Sequence, residues 1–326
     1  MLTSLQAYTE WRWDMHKKTC SGALLIMVFM LNGCVSFTQA AYHYITDKNR
    51  SRSKLELGTV AIEKQSLVYL ERQGSGETIV LIHGFGGNKD NWLDFVRHLP
   101  PEYRVIALDL PGHGDNPRLT DKIYSVEYLT ASVAQAVDAL GLQAFHIVGS
   151  SMGGYISIVY TARHPERIKT LCLYDNAGLL DVSPHPSDLQ TALSLGNNPL
   201  IPRTREGYDE LMHYVFYRQP FIPWPITSFL ADFAVASGPF YQKIWFDIDA
   251  HPIDLMPLLP TITAPTLVVW GDRDRILHVS TTEILKHALP AADVVIMKDC
   301  GHVPMLERPE EAAGDYAAFL NKLKSS

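Results

Sequence analysis

The chain alternates short apolar runs with stretches of helical period, and that rhythm restricts it to few architectures. Residues 79–82, 105–108, 145–148, 170–174, 266–270 and 294–297 are brief runs dominated by apolar side chains. Runs of this length read as strands buried on both faces. Between them lie helical patterns: near 91–99, at Leu129, Val133, Ala136, Val137 and Leu140, at 152–164, near 280–288, and over roughly 309–323. This order predicts an α/β fold, a mostly parallel sheet with helices on both faces. Residues 56–72 add an antiparallel hairpin at one edge. Between 177 and 262 the rhythm stops. The stretch is rich in Pro, and residues 208–246 hold 12 of the chain's 33 aromatic side chains. Ile226, Phe229, Leu230, Phe233 and Ala234 share one helical face. The expectation is a helical cap (177–262) inserted into a core made of 56–176 and 263–326, and packed over the carboxyl edge of the sheet.

One turn in this frame carries chemistry. Gly149-Ser150-Ser151-Met152-Gly153 follows an apolar strand and opens a helix. Small residues on both sides let the chain reverse sharply. The turn leaves Ser151 at the end of the sheet, on a helix N-terminus whose partial positive charge favours an oxyanion. Position 148 is Val, so the G-x-S-x-G spacing selects Ser151 and not Ser150. His83-Gly84-Phe85-Gly86-Gly87 follows an earlier strand, and its glycines expose backbone N–H groups. The amides of Phe85 and Met152 are the candidate oxyanion donors, each worth about 3 kcal/mol where such donors have been removed. His83 and Gly84 are placed at the substrate cavity, although His83, like His113, also reads as a structural loop histidine.

A serine nucleophile needs a base, and the base needs an orienting acid. His302 lies after the last strand, in Cys300-Gly301-His302-Val303-Pro304. For the acid there are three candidates: Asp274 first, Asp272 as its nearest rival, and Asp175 after the strand that ends at Tyr174. The order Ser151, Asp274, His302 is the order of nucleophile, acid and base in hydrolases of this strand–helix pattern. No cofactor is called for, and no His, Cys and Asp spacing suggests a metal site.

The first residues have a different design. Lys17 and Lys18 precede an uncharged run, Ala23–Leu31, shorter than the roughly 20 residues that span a bilayer. That reads as a signal peptide. Leu31-Asn32-Gly33-Cys34 resembles a bacterial lipobox, which implies cleavage before Cys34, acylation of Cys34 and anchoring to a membrane of the cell envelope; secretion without an anchor is the alternative. Met15 is a better start for such a signal than Met1. Residues 35–55 then form a tether or first helix. The whole chain carries 28 basic and 35 acidic side chains. With no basic excess to meet phosphates, a nucleic-acid partner is excluded. Four cysteines are too few for a disulfide scaffold.

Further motifs extend the pattern: Asp109-Leu110-Pro111-Gly112-His113-Gly114 and Gly301-His302-Val303-Pro304-Met305-Leu306-Glu307. With the serine turn they make residues 56–326 resemble an α/β-hydrolase. Ile82 to Asn91, Asn197-Asn198-Pro199-Leu200 and Val268-Val269-Trp270-Gly271-Asp272 are similar to the family V bacterial lipases, and the chain also resembles monoacylglycerol lipases. The resemblance implies an eight-stranded sheet and a helical cap. It also implies cofactor-free hydrolysis of acylglycerol or other ester substrates through Ser151, Asp274 and His302. Two alternatives share the fold. One is a carbon–carbon bond hydrolase of anionic ring-cleavage products, for which Arg203, Arg205 and Arg218 in the cap would supply cations. The other is a catalytically silent binding protein.

Overall fold

The computed structural model describes residues 36–63 and 65–325. Eight strands form one sheet: β1 (Glu56–Ile62), β2 (Gln65–Arg72), β3 (Thr78–Ile82), β4 (Arg104–Leu108), β5 (Phe145–Ser150), β6 (Ile168–Tyr174), β7 (Thr266–Gly271) and β8 (Asp293–Met297). Their spatial order is β1-β2-β4-β3-β5-β6-β7-β8. The β1–β2 and β2–β4 pairs are antiparallel and every other pair is parallel. The expected edge hairpin is therefore present, and so is the mostly parallel sheet.

Side chains along each central strand divide between two cores because successive residues face opposite sides. Val80 and Ile82 of β3, with Val268 and Trp270 of β7, enter one cluster. Ile79, Leu81, Leu267 and Val269 enter the other. The first cluster is covered by α3 (Val126–Ala139) and α4 (Met152–Arg163), the second by α2 (Leu93–His98) and α10 (Pro309–Lys324), with α1 (Phe37–Arg52) preceding the sheet. Helix α3 shows why the sequence folds this way locally. The Ser125 hydroxyl accepts from the Tyr128 amide and caps its first turn, while Val126, Leu129, Val133, Ala136 and Val137 are buried.

Between β6 and β7 the chain builds α5 (Asp188–Ser194), α6 (Arg205–Val215) and α7 (Trp224–Ala250). Helix α7 runs through Pro239 and is much longer than the 226–234 face suggested by the sequence. The α1 helix packs against α7, with the Tyr42 and Phe229 rings stacked 4.5 Å apart. In its last turn, Arg50 is buried and its guanidinium donates to both Asp90 carboxylate oxygens at 2.6 Å. Among the described residues no helix is long and apolar enough to cross a membrane. The expected signal, the lipobox and Cys34 lie outside the described residues. Helix α8 (Thr281–Ala288) lies between β7 and β8, and the short α9 (Pro304–Glu307) follows β8 and leads into α10.

Candidate active site

The carboxyl ends of neighbouring parallel strands gather the residues of interest. Ser151 follows β5, Asp175 follows β6, Asp274 lies just beyond β7, and His302 comes after β8. Ligands in open parallel sheets bind at this edge.

Ser151 sits at φ 53° and ψ −119°, a backbone region that a residue with a side chain rarely adopts. Surrounding bonds hold the strain. The Ser151 amide donates to the Tyr174 carbonyl at 2.9 Å, and its carbonyl accepts from Tyr155 and Ala177 amides at 3.1 and 2.9 Å. The flanking glycines are required by space. A Cβ on Gly153 would lie 2.2 Å from the Ile82 carbonyl oxygen, and one on Gly149 would lie 2.3 Å from that of Gly153. Both obstacles are backbone and cannot swing away. The sharp turn is thus built by close approach of β3, β5 and α4, and it leaves the hydroxyl at the helix N-terminus.

The loop after β3 lies against the serine. A Cβ on Gly84 would be 3.0 Å from Ser151 Cβ and 3.6 Å from Ser151 Oγ. Among the described residues, neither the Phe85 nor the Met152 amide has a protein acceptor. The Phe85 ring packs edge-on against Tyr241 and Trp245 of α7, each with centroids 5.6 Å away, and so fixes this loop beneath the helix. The sequence reading noted the aromatic density of this region but did not single out Tyr241 or Trp245.

His302 is buried, and its amide donates to the Val215 carbonyl at 2.9 Å. Its Nδ1 lies 2.8 Å from Asp274 Oδ2. Asp274 is fixed from the other side, where Oδ1 accepts from the amides of Ile276 at 2.8 Å and Leu277 at 2.9 Å. A carboxylate on Nδ1 keeps the proton there and leaves Nε2 as the basic nitrogen. Asp272, the rival acid, turns toward Arg273 at 3.7 Å and is partly exposed. Asp175 joins the pair: Asp175, Asp274 and His302 each offer a ligand atom within 4.8 Å of the others. Among the described residues this is the one His/Cys/Asp/Glu cluster compact enough to hold a metal ion, and two of its atoms are already joined by the Nδ1–Oδ2 hydrogen bond.

His83, expected at the substrate cavity, is engaged through its ring. His83 Nδ1 donates to the Gly84 carbonyl at 2.8 Å, and Nε2 accepts from the Leu110 amide at 3.0 Å. Both nitrogens are used, and burial followed by the neighbouring His113 holds its pKa well below the usual histidine range. His83 is a neutral brace between two loops. His113 is similarly buried, and burial lowers it to about 4. The cap arginines face outward: Arg205 pairs with Asp232 at 2.5 Å and Arg218 with Asp299 at 3.5 Å, both largely exposed.

The chain matches the alpha/beta hydrolase fold family over residues 77–216 and 224–309. It is 35% identical to Lipase 3 of Moraxella sp. (strain TA144), over 89% of this chain and 91% of that protein. It is 33% identical to Lipase 1 of Psychrobacter immobilis, over 95% and 98%. A crystal structure described as a membrane phospholipase A, a novel bacterial virulence factor, superposes with a TM-score of 0.88 at 40% identity, covering 93% of this chain and 98% of that one. The sheet order, the strained serine turn and these matches agree, and the chain belongs to the alpha/beta hydrolase fold family.

Proposed function

We propose that the protein is a serine carboxylester hydrolase acting on acylglycerol or related lipid esters. The observation that carries the reading is the buried 2.8 Å hydrogen bond between His302 and Asp274, set at the same sheet edge as the strained Ser151 turn. In this reaction His302 Nε2 removes the Ser151 proton as Oγ attacks the ester carbonyl. Asp274 holds the ring and stabilises the imidazolium. The tetrahedral oxyanion forms against the Phe85 and Met152 amides, two donors that need no reorganisation to receive it. His302 then gives its proton to the departing alcohol. Water, deprotonated by the same nitrogen, attacks the acyl-Ser151 ester and releases the carboxylic acid, which restores the serine.

Residues 177–262 act as a cap whose α7 aromatics supply apolar wall for an acyl chain. The outward pairing of Arg205 and Arg218 supports a neutral substrate over the anionic products of ring cleavage. The deciding experiment is a series of p-nitrophenyl esters of increasing chain length, run beside emulsified triolein and a phospholipid, with Ser151→Ala as the control. Turnover rising toward long chains and emulsified lipid, and absent in Ser151→Ala, is expected. Equal rates for wild type and Ser151→Ala would end the reading.

We further place the protein at the bacterial cell envelope, anchored through acylated Cys34. Support comes from the lipobox-like Leu31–Cys34 and from an aromatic surface where α1 and α7 begin. Phe37 stacks 6.4 Å from Trp224, and Trp224 and Phe221 are exposed. Aromatic side chains of this kind suit the water–lipid boundary. Radiolabelled palmitate is expected in the wild type and not in Cys34→Ala; label that persists in the variant excludes the anchor.

A further inference from the structure

Asp175 is the one carboxyl of the cluster that the reaction above leaves without a task. It follows β6 directly, its backbone lies at φ 45°, and it is fully buried. Its Oδ1 accepts from the Gly271 amide at 2.9 Å. Its Oδ2 is buried and finds no donor among the described residues. Yet its neighbours are Asp274 and His302. Asp274 Oδ1 is taken by two amides and Oδ2 by His302. The further titratable groups acting on Asp175 are Glu307 and the Cys300 thiol, and the cation its cluster can form is His302 itself. Two adjacent carboxylates in a dry site do not both stay ionised. Burial first, and then the Asp274 charge, push the Asp175 carboxyl well above its ordinary range. A proton on Asp175 also satisfies its orphaned oxygen, because a protonated carboxyl is a donor where a carboxylate is only an acceptor.

We propose that Asp175 is a positioning residue that keeps its carboxyl proton and donates it to Asp274, so that Asp175, Asp274 and His302 form one hydrogen-bonded chain carrying a single negative charge. The inference rests on the reading of His302 as the base. Its consequence is electrostatic. A donor aimed at Asp274 spreads the carboxylate charge and makes His302 less basic. Asp175 also ties Asp274 to the Gly271 amide at the end of β7, which fixes the acid in the plane that His302 needs.

The test compares Asp175→Asn, which keeps a neutral donor and the acceptor for Gly271, with Asp175→Ala and Asp175→Leu, which keep neither. Two readouts are used on the full chain: the acid limb of kcat/KM for ester hydrolysis, and the His302 titration followed by ring NMR. In Asp175→Asn both should stay within about 0.2 pH units of wild type. In whichever donor-less variant folds, judged by thermal unfolding, both should rise by about half a unit or more, as loss of one hydrogen bond to the partner carboxylate requires. Opposite movement, with the Asn and donor-less variants all titrating lower, would mean that Asp175 is ionised in the native protein and overturns the proposal. Unchanged titration in all of them would reduce Asp175 to packing and overturns it equally. The NMR arm needs no turnover. If Ser151→Ala retained full activity, the proposed reaction would fall while the Asp175 proton could still be located.

Discussion

His302→Ala is expected to lower kcat for ester hydrolysis by about a millionfold, Ser151→Ala by as much, and the double variant by no more than either. The size follows from how the parts depend on one another. Without Nε2 the Ser151 hydroxyl keeps its proton and remains a weak nucleophile. Without Oγ the histidine has nothing to activate except water. Each single loss therefore removes the whole covalent route, and removing both adds nothing. What survives is the contribution of the Phe85 and Met152 amides and of substrate binding, about 10³–10⁴ over the uncatalysed rate. The variants should remain folded. His302 is held by its amide bond to Val215 as well as by Asp274, and the Ser151 turn is held by backbone bonds that alanine retains. Single-turnover and steady-state assays on a soluble p-nitrophenyl ester measure this directly. A strictly additive double variant would mean that Ser151 and His302 act in separate steps.

Most of the sheet can be read from the sequence for a plain physical reason. Strands buried on both faces must be largely apolar, so β3, β4 and β7 hold continuous apolar runs and β5 is broken only by His146, with turn signals at both ends. The serine turn is legible because its sterics demand small residues at fixed offsets, and Gly149 and Gly153 have backbone where a Cβ would go. The acid is less legible. Three aspartates end strands at the same edge, and only the three-dimensional register shows that Ile276 and Leu277 amides take one oxygen of Asp274 and leave the other for His302. Helix α7 hides its length behind Pro239, which sequence reasoning treats as a break. Within the segment that reads as a tether or first helix, the burial of Arg50 is illegible because its carboxylate partner comes from a distant segment. Asp90 lies forty residues beyond Arg50 in sequence, and no local pattern announces the pair. Lys89 is illegible for the same reason: lysine is rarely buried, and its partners Asp109 and Asp115 come after another strand.

That lysine carries the second large expectation: Lys89→Met should destabilise the protein by about 3 kcal/mol or more at neutral pH, because it removes one partner from a buried ion pair. Lys89 is 1% exposed and Asp109 is fully buried. The Lys89 amine donates to Asp109 Oδ2 at 2.8 Å and to Asp115 Oδ2 at 2.7 Å, and Asp109 Oδ1 accepts from the Lys89 amide at 2.7 Å. Burial works against the lysine charge, but Asp109, Asp90 and Asp115 outweigh it and hold the amine above its ordinary value. Burial, only partly offset by Lys89, already pushes the Asp109 carboxyl up to about 6. Methionine fills similar volume, so the change isolates charge. Stripped of its cation, Asp109 has a still higher native value, while its unfolded value stays near 3.8. Between those values the native state of the variant holds a proton that the unfolded chain lacks, so its stability falls as pH rises. The deficit relative to wild type should therefore open above about pH 6 and narrow below it. Adding Asp109→Asn removes the uncompensated charge while keeping an acceptor for the Lys89-position amide, and should recover at least about 1 kcal/mol. Urea unfolding of wild type, single and double variants at pH 5 and pH 8 measures all of this. A deficit of the same size at both pH values would show that packing, and not the buried charge, holds this corner together. Under the proposed reaction this corner bears on catalysis, because Lys89 and Asp90 lie just past the glycine loop that bears the Phe85 amide, and Arg50 of α1 grips the same turn from outside the sheet. Folded Lys89→Met protein should accordingly lose kcat along with stability.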